Sequence, residues 1–406
     1  MKVWEPLPID EGHPRPMRAG LLAQELAEAG HRVTWWALRF EHFTKTLRPQ
    51  RGTVPVSDNL RIVLLEGPTY RRNVSLRRIA NNLASGLDYL RQGLAWPDKP
   101  DVIVCALPTV ELAFFSVLLG KRFGAPVVID SRDKVPDIYV EVFQQRTRLP
   151  GWLVAALAFP YEWMVHFACR HAASLTAISR GFLGWALGKA GRPEGPRDRV
   201  FYPTYRSLSV PAHPARSGPF TVFFAGILTL RILEPMKVVF EAVRRLDRVH
   251  LVVCGSGEAD REMLELAGDC PRIRFTGRVG LDCLESLMRE SQVGLLPYPN
   301  DSDFLISIPG KVAEYLAGGL PIVSSLGGEV GDLVREQGCG FVYRDSAELA
   351  AGLLELMDEN RLAPMQARAR ELFARSFCTE VVSADFRRHL ESLVERRQIY
   401  TSEVQS

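Results

Sequence analysis

A lysine and a glutamate three positions apart, Lys311 and Glu314, lie in a segment with the punctuation of a short helix. Ser307 and Pro309 mark its start, and two glycines follow its end. Helical spacing would place Ser307, Lys311 and Glu314 on one face. The helix N-terminus and the lysine suit a diphosphate, and the carboxylate suits the vicinal hydroxyls of a ribose. The alternative, a surface Lys–Glu pair on an amphipathic helix, stays open on this segment alone.

A cluster of charged residues follows the apolar run Pro126–Ile129. Asp130, Arg132 and Asp133 would lie at the carboxyl end of a buried strand, where open α/β sheets bind their ligands. A carboxylate at such an edge can act as a general base. The alternative is a loop salt bridge of Arg132 with Asp130 or Asp137.

The composition excludes several classes of protein. The chain has 406 residues, 47% hydrophobic and 24% charged, which excludes disordered, collagen-like and disulfide-scaffold proteins. A net charge of only +3 gives no indication of nucleic-acid binding. Seven scattered cysteines without CxxC or His/Cys ligand spacing predict free thiols in a reducing compartment and no metal site. The N-terminus lacks a signal-peptide pattern, and no window reaches 18 apolar residues without a charge, so no spanning helix is predicted and we expect a cytoplasmic protein.

Buried-strand and helical patterns alternate along the whole chain, which indicates α/β layers with parallel sheets. Strands are predicted at His31–Ala37, Leu60–Leu65, Asp101–Ala106, Pro126–Asp130, Ser174–Ile178, Thr221–Ala225, His250–Cys254, Arg272–Thr276, Val293–Pro297, Pro321–Ser325 and Gly340–Tyr343. A long charged helical tail is predicted from about Ala363 to Arg397.

A proline-rich stretch, Pro203–Pro219, divides this pattern into two halves. We therefore expect an N-terminal Rossmann-like domain at 1–205, a linker at 206–219 and a second Rossmann-like domain at 220–378. A C-terminal helix at 379–406 is expected to pack back on the N-terminal domain. Two doubly wound domains in tandem predict a ligand cleft between them.

The segment Leu149–Phe167 is unusually apolar and aromatic, and arginines precede it. This composition fits a helix that lies in the interface of a membrane, as an enzyme acting on a lipid-linked acceptor would need. A buried core helix is the alternative.

The C-terminal half resembles the family 4 retaining glycosyltransferases, which have the two-domain GT-B fold. The resemblance rests on Phe224-Ala-Gly226, Cys254-Gly-Ser-Gly257, Phe275-Thr-Gly-Arg-Val279 and Pro309-Gly-Lys-Val-Ala-Glu-Tyr-Leu-Ala-Gly-Gly-Leu-Pro321. The first half is similar to a branch that makes bacterial surface polysaccharide and includes N-acetylfucosamine transferases. That similarity rests on Glu5–Asp10, Arg18–Leu22, Gly30–Trp36 and Asp130–Asp137.

The resemblance implies a nucleotide-sugar donor that binds without a cofactor or a metal. A UDP-sugar is the favoured donor. The residues it implies for the donor are Arg231, Lys237, Lys311 and Gly12 for the diphosphate, Glu314 for the ribose, Gly277, Arg278 and Val279 for the base, and Asp303, Ser307 and Ile308 for the sugar.

On the acceptor side the resemblance implies Asp133, with Asp137 in reserve, as the residue that orients or deprotonates the acceptor hydroxyl. Arg15 and Arg18 would hold the pyrophosphate of a polyprenyl-diphosphate-linked acceptor, and an oligosaccharide acceptor is the other possibility. Contact with the inner leaflet of the membrane would follow from a lipid-linked acceptor.

One position departs from the family pattern. Many members have a second glutamate eight positions before the ribose-binding one, and here that position is Ile306. An apolar residue there would suit a deoxy sugar, which offers fewer hydroxyls. Two other functions remain alternatives: a nucleotide-sugar epimerase, and a non-catalytic GT-B partner protein.

Overall fold

The computed structural model contains two α/β units, each built on its own sheet. It describes residues 1–6, 18–42, 44–72, 75–146, 149–208 and 218–405. The first unit is Met1–Phe201 together with the chain from Ser383 onward, and the second is Tyr202–Val382. Much of the expected linker, residues 209–217, lies outside the described residues.

The first unit alternates strands with helices. Its elements are β1 (Lys2–Pro6), α1 (Arg18–Glu28), β2 (Arg32–Leu38), β3 (Thr53–Pro55), β4 (Leu60–Leu65), α2 (Leu76–Ala95), β5 (Val102–Leu107), α3 (Val110–Phe123), β6 (Val127–Ser131), α4 (Asp137–Arg146), α5 (Gly151–His171), β7 (Ser174–Ala177), α6 (Arg180–Ala190) and β8 (Arg199–Val200).

The sheet of the first unit has the order β3-β4-β2-β1-β5-β6-β7-β8. Every neighbouring pair is parallel except β3 with β4. The chain runs outward from β1 in one direction and from β5 in the other, so the topological switch point lies between these two strands. The carboxyl ends of β1, β6 and β7 meet at one edge and bring Glu5, Asp130 and Thr176 to it.

The second unit repeats the alternation. Its elements are β9 (Phe220–Ala225), a 3-10 turn (Leu230–Ile232), α7 (Leu233–Arg244), β10 (Val249–Cys254), α8 (Asp260–Ala267), β11 (Ile273–Gly277), α9 (Leu281–Glu290), β12 (Val293–Leu296), α10 (Ser302–Leu305), α11 (Gly310–Ala317), β13 (Ile322–Ser324), α12 (Gly328–Gln337), β14 (Gly340–Val342), α13 (Ser346–Leu356) and α14 (Glu359–Ser376), followed by the start of α15 (Thr379–Gln405).

Six parallel strands in the order β11-β10-β9-β12-β13-β14 form the sheet of the second unit. Side chains alternate between its faces: Phe224 packs in the core beneath α7, α8 and α13, whereas Phe223 packs beneath α9, α11, α12 and α14. Both faces are covered, as the near-continuous apolar strands require. The switch point lies between β9 and β12.

The prediction of one continuous helix in the C-terminal tail is wrong, because the helix is interrupted between α14 and α15 at Phe377 and Cys378. Tyr205 forms a bridge there. Its N–H donates to the Phe377 carbonyl (3.1 Å), and its own carbonyl accepts from the Thr379 N–H (3.0 Å). These bonds satisfy backbone groups that an unbroken helix would have paired internally.

Helix α5 is long and apolar enough to cross a membrane, by length and composition alone. A buried core helix of a soluble protein meets the same criterion, but only 22% of the apolar window of α5 is buried. Most of the surface of α5 is therefore not buried, as it would be in a core helix.

Candidate functional site

Helix α11 carries the lysine–glutamate pair that the sequence singled out. The Lys311 Nζ atom donates to Glu314 Oε2 at 2.7 Å, and the two side chains are 18% and 4% exposed. The helix begins at Gly310 behind Pro309, so Ser307 precedes it and does not share its face. The expected three-residue face is therefore a two-residue pair.

Two strands at the switch point hold α11 in place. The Ala225 N–H at the end of β9 donates to the Tyr315 hydroxyl at 3.1 Å. Gly294 in β12 lies under the Tyr315 ring, where a Cβ atom would come within 2.4 Å of the ring. Tyr315 thus fixes the helix against both strands, and Glu314 is its neighbour in sequence.

Arg231 joins the segments that follow β9 and β12. Its Nη2 atom lies 2.7 Å from Asp301 Oδ2 and 3.2 Å from Asp303 Oδ1. Its guanidinium also lies over the Phe304 ring, 4.8 Å from the centroid, and Phe304 stacks on Tyr298. The cation that the family resemblance assigned to the diphosphate is therefore paired with two carboxylates, one of which, Asp303, was assigned to the sugar.

The loops after β9 and β10 pack backbone against backbone. A Cβ atom on Gly255 would lie 1.8 Å from the Gly226 oxygen, and one on Gly257 would lie 2.2 Å from the Leu228 oxygen. Only glycine fits at these two positions. The glycines that resemble a family motif thus hold the carboxyl edge of this sheet together.

The other predicted donor residues lie at the carboxyl side of the same sheet or near it. Gly277 ends β11 with φ +66°, and its carbonyl accepts from the Gly255 N–H at 2.9 Å. Arg278 is exposed, and Val279 packs partly against the core. Lys237 is exposed on α7.

The sugar-side segment between α10 and α11 is mostly half-buried. Ile306 closes α10, and both its N–H and that of Ser307 donate to the Phe304 carbonyl. The Ile308 side chain is 1% exposed and belongs to the core. A role for Ile308 in sugar binding would therefore have to use its backbone.

Asp130 is the centre of a buried charge cluster in the first unit. Its Oδ2 atom accepts from Arg132 Nε (2.7 Å) and Arg18 Nε (3.3 Å), and Thr176 Oγ1 donates to Oδ1 (2.8 Å). Burial disfavours the charged carboxylate, but Arg18, Arg132 and Thr176 outweigh it and hold the pKa of Asp130 below its usual value. The salt bridge of Arg132 with Asp130, which the sequence left open as the alternative, is therefore present.

Arg18 also donates from Nη1 to the Phe201 carbonyl at 2.7 Å and lies over the Phe386 ring. Its side chain is 14% exposed. Gly12 and Arg15, the other predicted residues of that segment, lie outside the described residues.

Two aspartates after β6 differ in their surroundings. Asp133 is exposed. Asp137 accepts from Trp185 Nε1 (2.7 Å) and Lys189 Nζ (2.6 Å), which joins α4 to α6. Burial alone would raise the pKa of Asp137, but these two donors lower it.

Sequence reasoning missed Glu5 as a member of the Asp130 cluster. Both of its carboxyl oxygens are buried and have no hydrogen-bond partner among the described residues. Burial raises the pKa of Glu5 to about 8, and Arg132 opposes the rise. The available signal was a glutamate at the end of the apolar strand β1.

Within the described ranges, no group of three or more His, Cys, Asp or Glu side chains is arranged to hold a metal ion.

Comparisons with known proteins give families and folds. Residues 17–203 match the family model described as glycosyl transferase 4-like domain, and residues 219–359 match the model described as glycosyl transferases group 1. No curated protein matches the chain significantly.

Several solved structures share the fold of the whole chain. HepE (Alr3699) of Anabaena in complex with UDP has a TM-score of 0.64 at 15% identity, over 96% of this chain and 99% of that chain. The lipopolysaccharide outer core galactosyltransferase WaaB in its apo form has a TM-score of 0.62 at 13% identity, over 97% and 99%. An α,α-trehalose-phosphate synthase (UDP-forming) from Burkholderia vietnamiensis has a TM-score of 0.66 at 14% identity, over 97% of each chain.

The two family models and the two Rossmann-like sheets agree, and together they identify this chain as a glycosyltransferase of the GT-B superfamily.

Proposed function

We propose that the chain transfers a sugar from a UDP-sugar, with retention of configuration, to a lipid-linked or oligosaccharide acceptor in surface-polysaccharide synthesis in the cytoplasm. The observation that carries the proposal is the Lys311–Glu314 pair on a helix that Tyr315 fixes at the switch point of the second unit. The similar HepE structures, in complexes with UDP and with UDP-glucose, support a UDP-sugar donor.

The pair suggests how the donor would bind. Lys311 would turn from Glu314 to the diphosphate, which leaves the carboxylate to accept hydrogen bonds from the two ribose hydroxyls. Arg231 and Lys237 in this unit, and Gly12 in the first unit, are further candidates for the diphosphate. The base would lie against the backbone at 277–279.

The sugar would lie near Asp303, Ser307 and the backbone of Ile308. We propose a deoxy sugar because Ile306 occupies the place of a polar contact in many family members. An N-acetylated sugar is the other candidate, because the first half resembles N-acetylfucosamine transferases. A donor with a fully hydroxylated hexose that binds more tightly than deoxy donors would contradict this choice.

During transfer the bond between the anomeric carbon and the diphosphate oxygen breaks, and a bond to the acceptor oxygen forms. The acceptor proton passes to Asp133 or to the departing phosphate. Asp133 is the first candidate because it is exposed after β6, and Asp137 is the second. Arg18, and Arg15 before it, are the candidates for the acceptor pyrophosphate.

We propose that cationic side chains, without a metal or a cofactor, stabilise the leaving diphosphate. Each charge-assisted contact contributes about 1.5–3 kcal/mol. Full activity in the presence of EDTA is the expected result, and loss of activity that Mg²⁺ or Mn²⁺ restores would contradict it.

Calorimetric titration with UDP tests the donor site, and thermal stabilisation by a panel of nucleotide sugars identifies the donor. The expected result is saturable UDP binding and UDP release that depends on the acceptor. Absence of UDP binding would favour a non-catalytic partner protein, and an epimer formed without acceptor would favour an epimerase.

A further inference from the structure

Two helices of the first unit, α2 and α5, expose several large apolar side chains. Nine of the eighteen exposed large apolar side chains in the described part of the chain lie on α2 and α5. On α2 they are Leu76, Ile79, Leu83, Leu87 and Leu94, which are 83%, 45%, 45%, 50% and 48% exposed. On α5 they are Trp152, Leu157, Phe159 and Trp163, at 72%, 61%, 65% and 49%. Half of the exposed large apolar side chains are therefore concentrated on two helices.

Both helices pack on α3, which lies between them. Gly86 of α2 lies so close to Phe115 of α3 that a Cβ atom would come within 2.9 Å of the ring. Phe114 of α3 packs against Trp163 of α5, with centroids 5.4 Å apart. The three helices therefore form one layer on the sheet. Helices of 20 and 21 residues make this layer about 30 Å long.

The charges of this layer favour an anionic occupant. The three helices contain six Lys or Arg residues against three acidic ones. Each acidic residue is engaged: Asp88 by Arg91 and Gln92, Glu111 by Tyr161, and Glu162 by Lys189 of α6. The exposed Arg71 and Arg72 come just before α2 and add to the positive charge. An apolar surface with basic residues and exposed tryptophans fits the headgroup region of an anionic lipid bilayer.

We propose that α2 and α5 dock this protein on an anionic lipid bilayer as a peripheral surface. Helix α5 lies in the interface and does not span the bilayer, because Phe114 covers one of its sides and Glu162 is held by Lys189 at 2.6 Å on another. The surface is independent of the donor site, so it stands or fails separately from the proposed transferase activity.

The test is flotation of the full chain with vesicles of phosphatidylcholine alone or with about one third phosphatidylglycerol. We expect binding to the anionic vesicles and a drop of about tenfold in the bound fraction for Leu83→Glu/Leu87→Glu and for Phe159→Glu. The matched control is Leu264→Glu/Leu354→Glu, which changes two leucines of similar exposure (55% and 54%) in the second unit and should bind as the wild type does.

UDP titration and circular dichroism of the same variants show that each is folded, and they report on the donor site separately. Equal binding of all variants, or equal binding to both kinds of vesicle, would overturn the proposal. So would a dimer in light scattering that Phe159→Glu dissociates without lipid, because the surface would then be an interface between two copies. Retention of the protein on vesicles after carbonate washing would show that α5 spans the bilayer and would overturn it as well.

Discussion

The Lys311 Nζ atom lies 2.7 Å from Glu314 Oε2, so two side chains with separate proposed roles in donor binding are partners of each other in this structure. The glutamate is 4% exposed and needs a cation nearby. A bound diphosphate would attract Lys311 away from Glu314, and the ribose hydroxyls would replace the lysine as hydrogen-bond donors to the carboxylate. Diphosphate and ribose binding are therefore expected to be coupled.

Replacing Lys311 tests its role in donor binding. Lys311→Met should weaken UDP binding about 10- to 100-fold, since one charge-assisted contact contributes about 1.5–3 kcal/mol. Calorimetry measures the affinity. Arg261→Met, which removes an 80% exposed cation from α8, should leave the affinity unchanged. Equal affinities for both variants would remove Lys311 from the donor site.

The same substitution should also affect stability. Breaking a buried pair by removing one partner costs about 3–5 kcal/mol. Urea unfolding should show such a loss for Lys311→Met and recovery in Lys311→Met/Glu314→Gln. A double variant no more stable than the single one would show that the loss does not come from an unpaired Glu314 carboxylate.

The carboxylates around Arg231 should compete with a bound diphosphate. Asp301 lies 2.7 Å from Arg231 and is half exposed, so Asp301→Asn should raise UDP affinity by up to about fivefold, the range expected of an exposed ion pair. Arg231→Gln should lower it. If Asp301→Asn weakens binding, Asp301 positions Arg231 for the ligand and does not compete with it.

The two aspartates after β6 should separate catalysis from stability. Asp133→Asn should lower kcat by only about 10- to 100-fold, because the departing phosphate can also accept the proton. UDP affinity and Tm should stay unchanged. Asp137→Asn should instead lower stability by about 1–3 kcal/mol, because Trp185 and Lys189 lose a charged acceptor. The reverse pattern would transfer the catalytic role to Asp137.

Glu5 should make stability fall as the pH rises. Its pKa in the folded chain is raised from 4.5 to about 8, so the folded chain keeps a proton that the unfolded chain releases in this window. That stabilising contribution is complete below pH 4.5 and is lost as the pH approaches 8. Tm measured across this window should fall more steeply for the wild type than for Glu5→Gln.

The exposed control Glu265→Gln, at a side chain 70% exposed, should follow the wild type. Parallel curves for the wild type and Glu5→Gln would show that Glu5 is ionised in the folded chain.

Much of the fold can be predicted from local sequence. The apolar run Leu60–Leu65 is strand β4, and the run Thr221–Ala225 is most of strand β9. A strand that is buried on both faces is apolar throughout, so it can be recognised without knowledge of its neighbours in the sheet. The helix after Pro309 was recognisable for a similar reason, since its start and end are set by neighbouring residues. The interruption of the C-terminal helix could not be predicted in this way, because it depends on hydrogen bonds to Tyr205, which lies far away in sequence.

The site was only partly predictable for the same physical reason. Sequence alone determined which residue types follow each strand, and hence that Lys311, Glu314, Arg231 and Asp130 lie at carboxyl edges of sheets. Only the tertiary structure decided their partners: Arg231 meets Asp301 across 70 residues and Arg18 meets Asp130 across 112. It also decided that the apolar faces of α2 and α5 stay uncovered. Helical periodicity reports that a face is apolar, whereas its burial depends on what the rest of the chain packs against it.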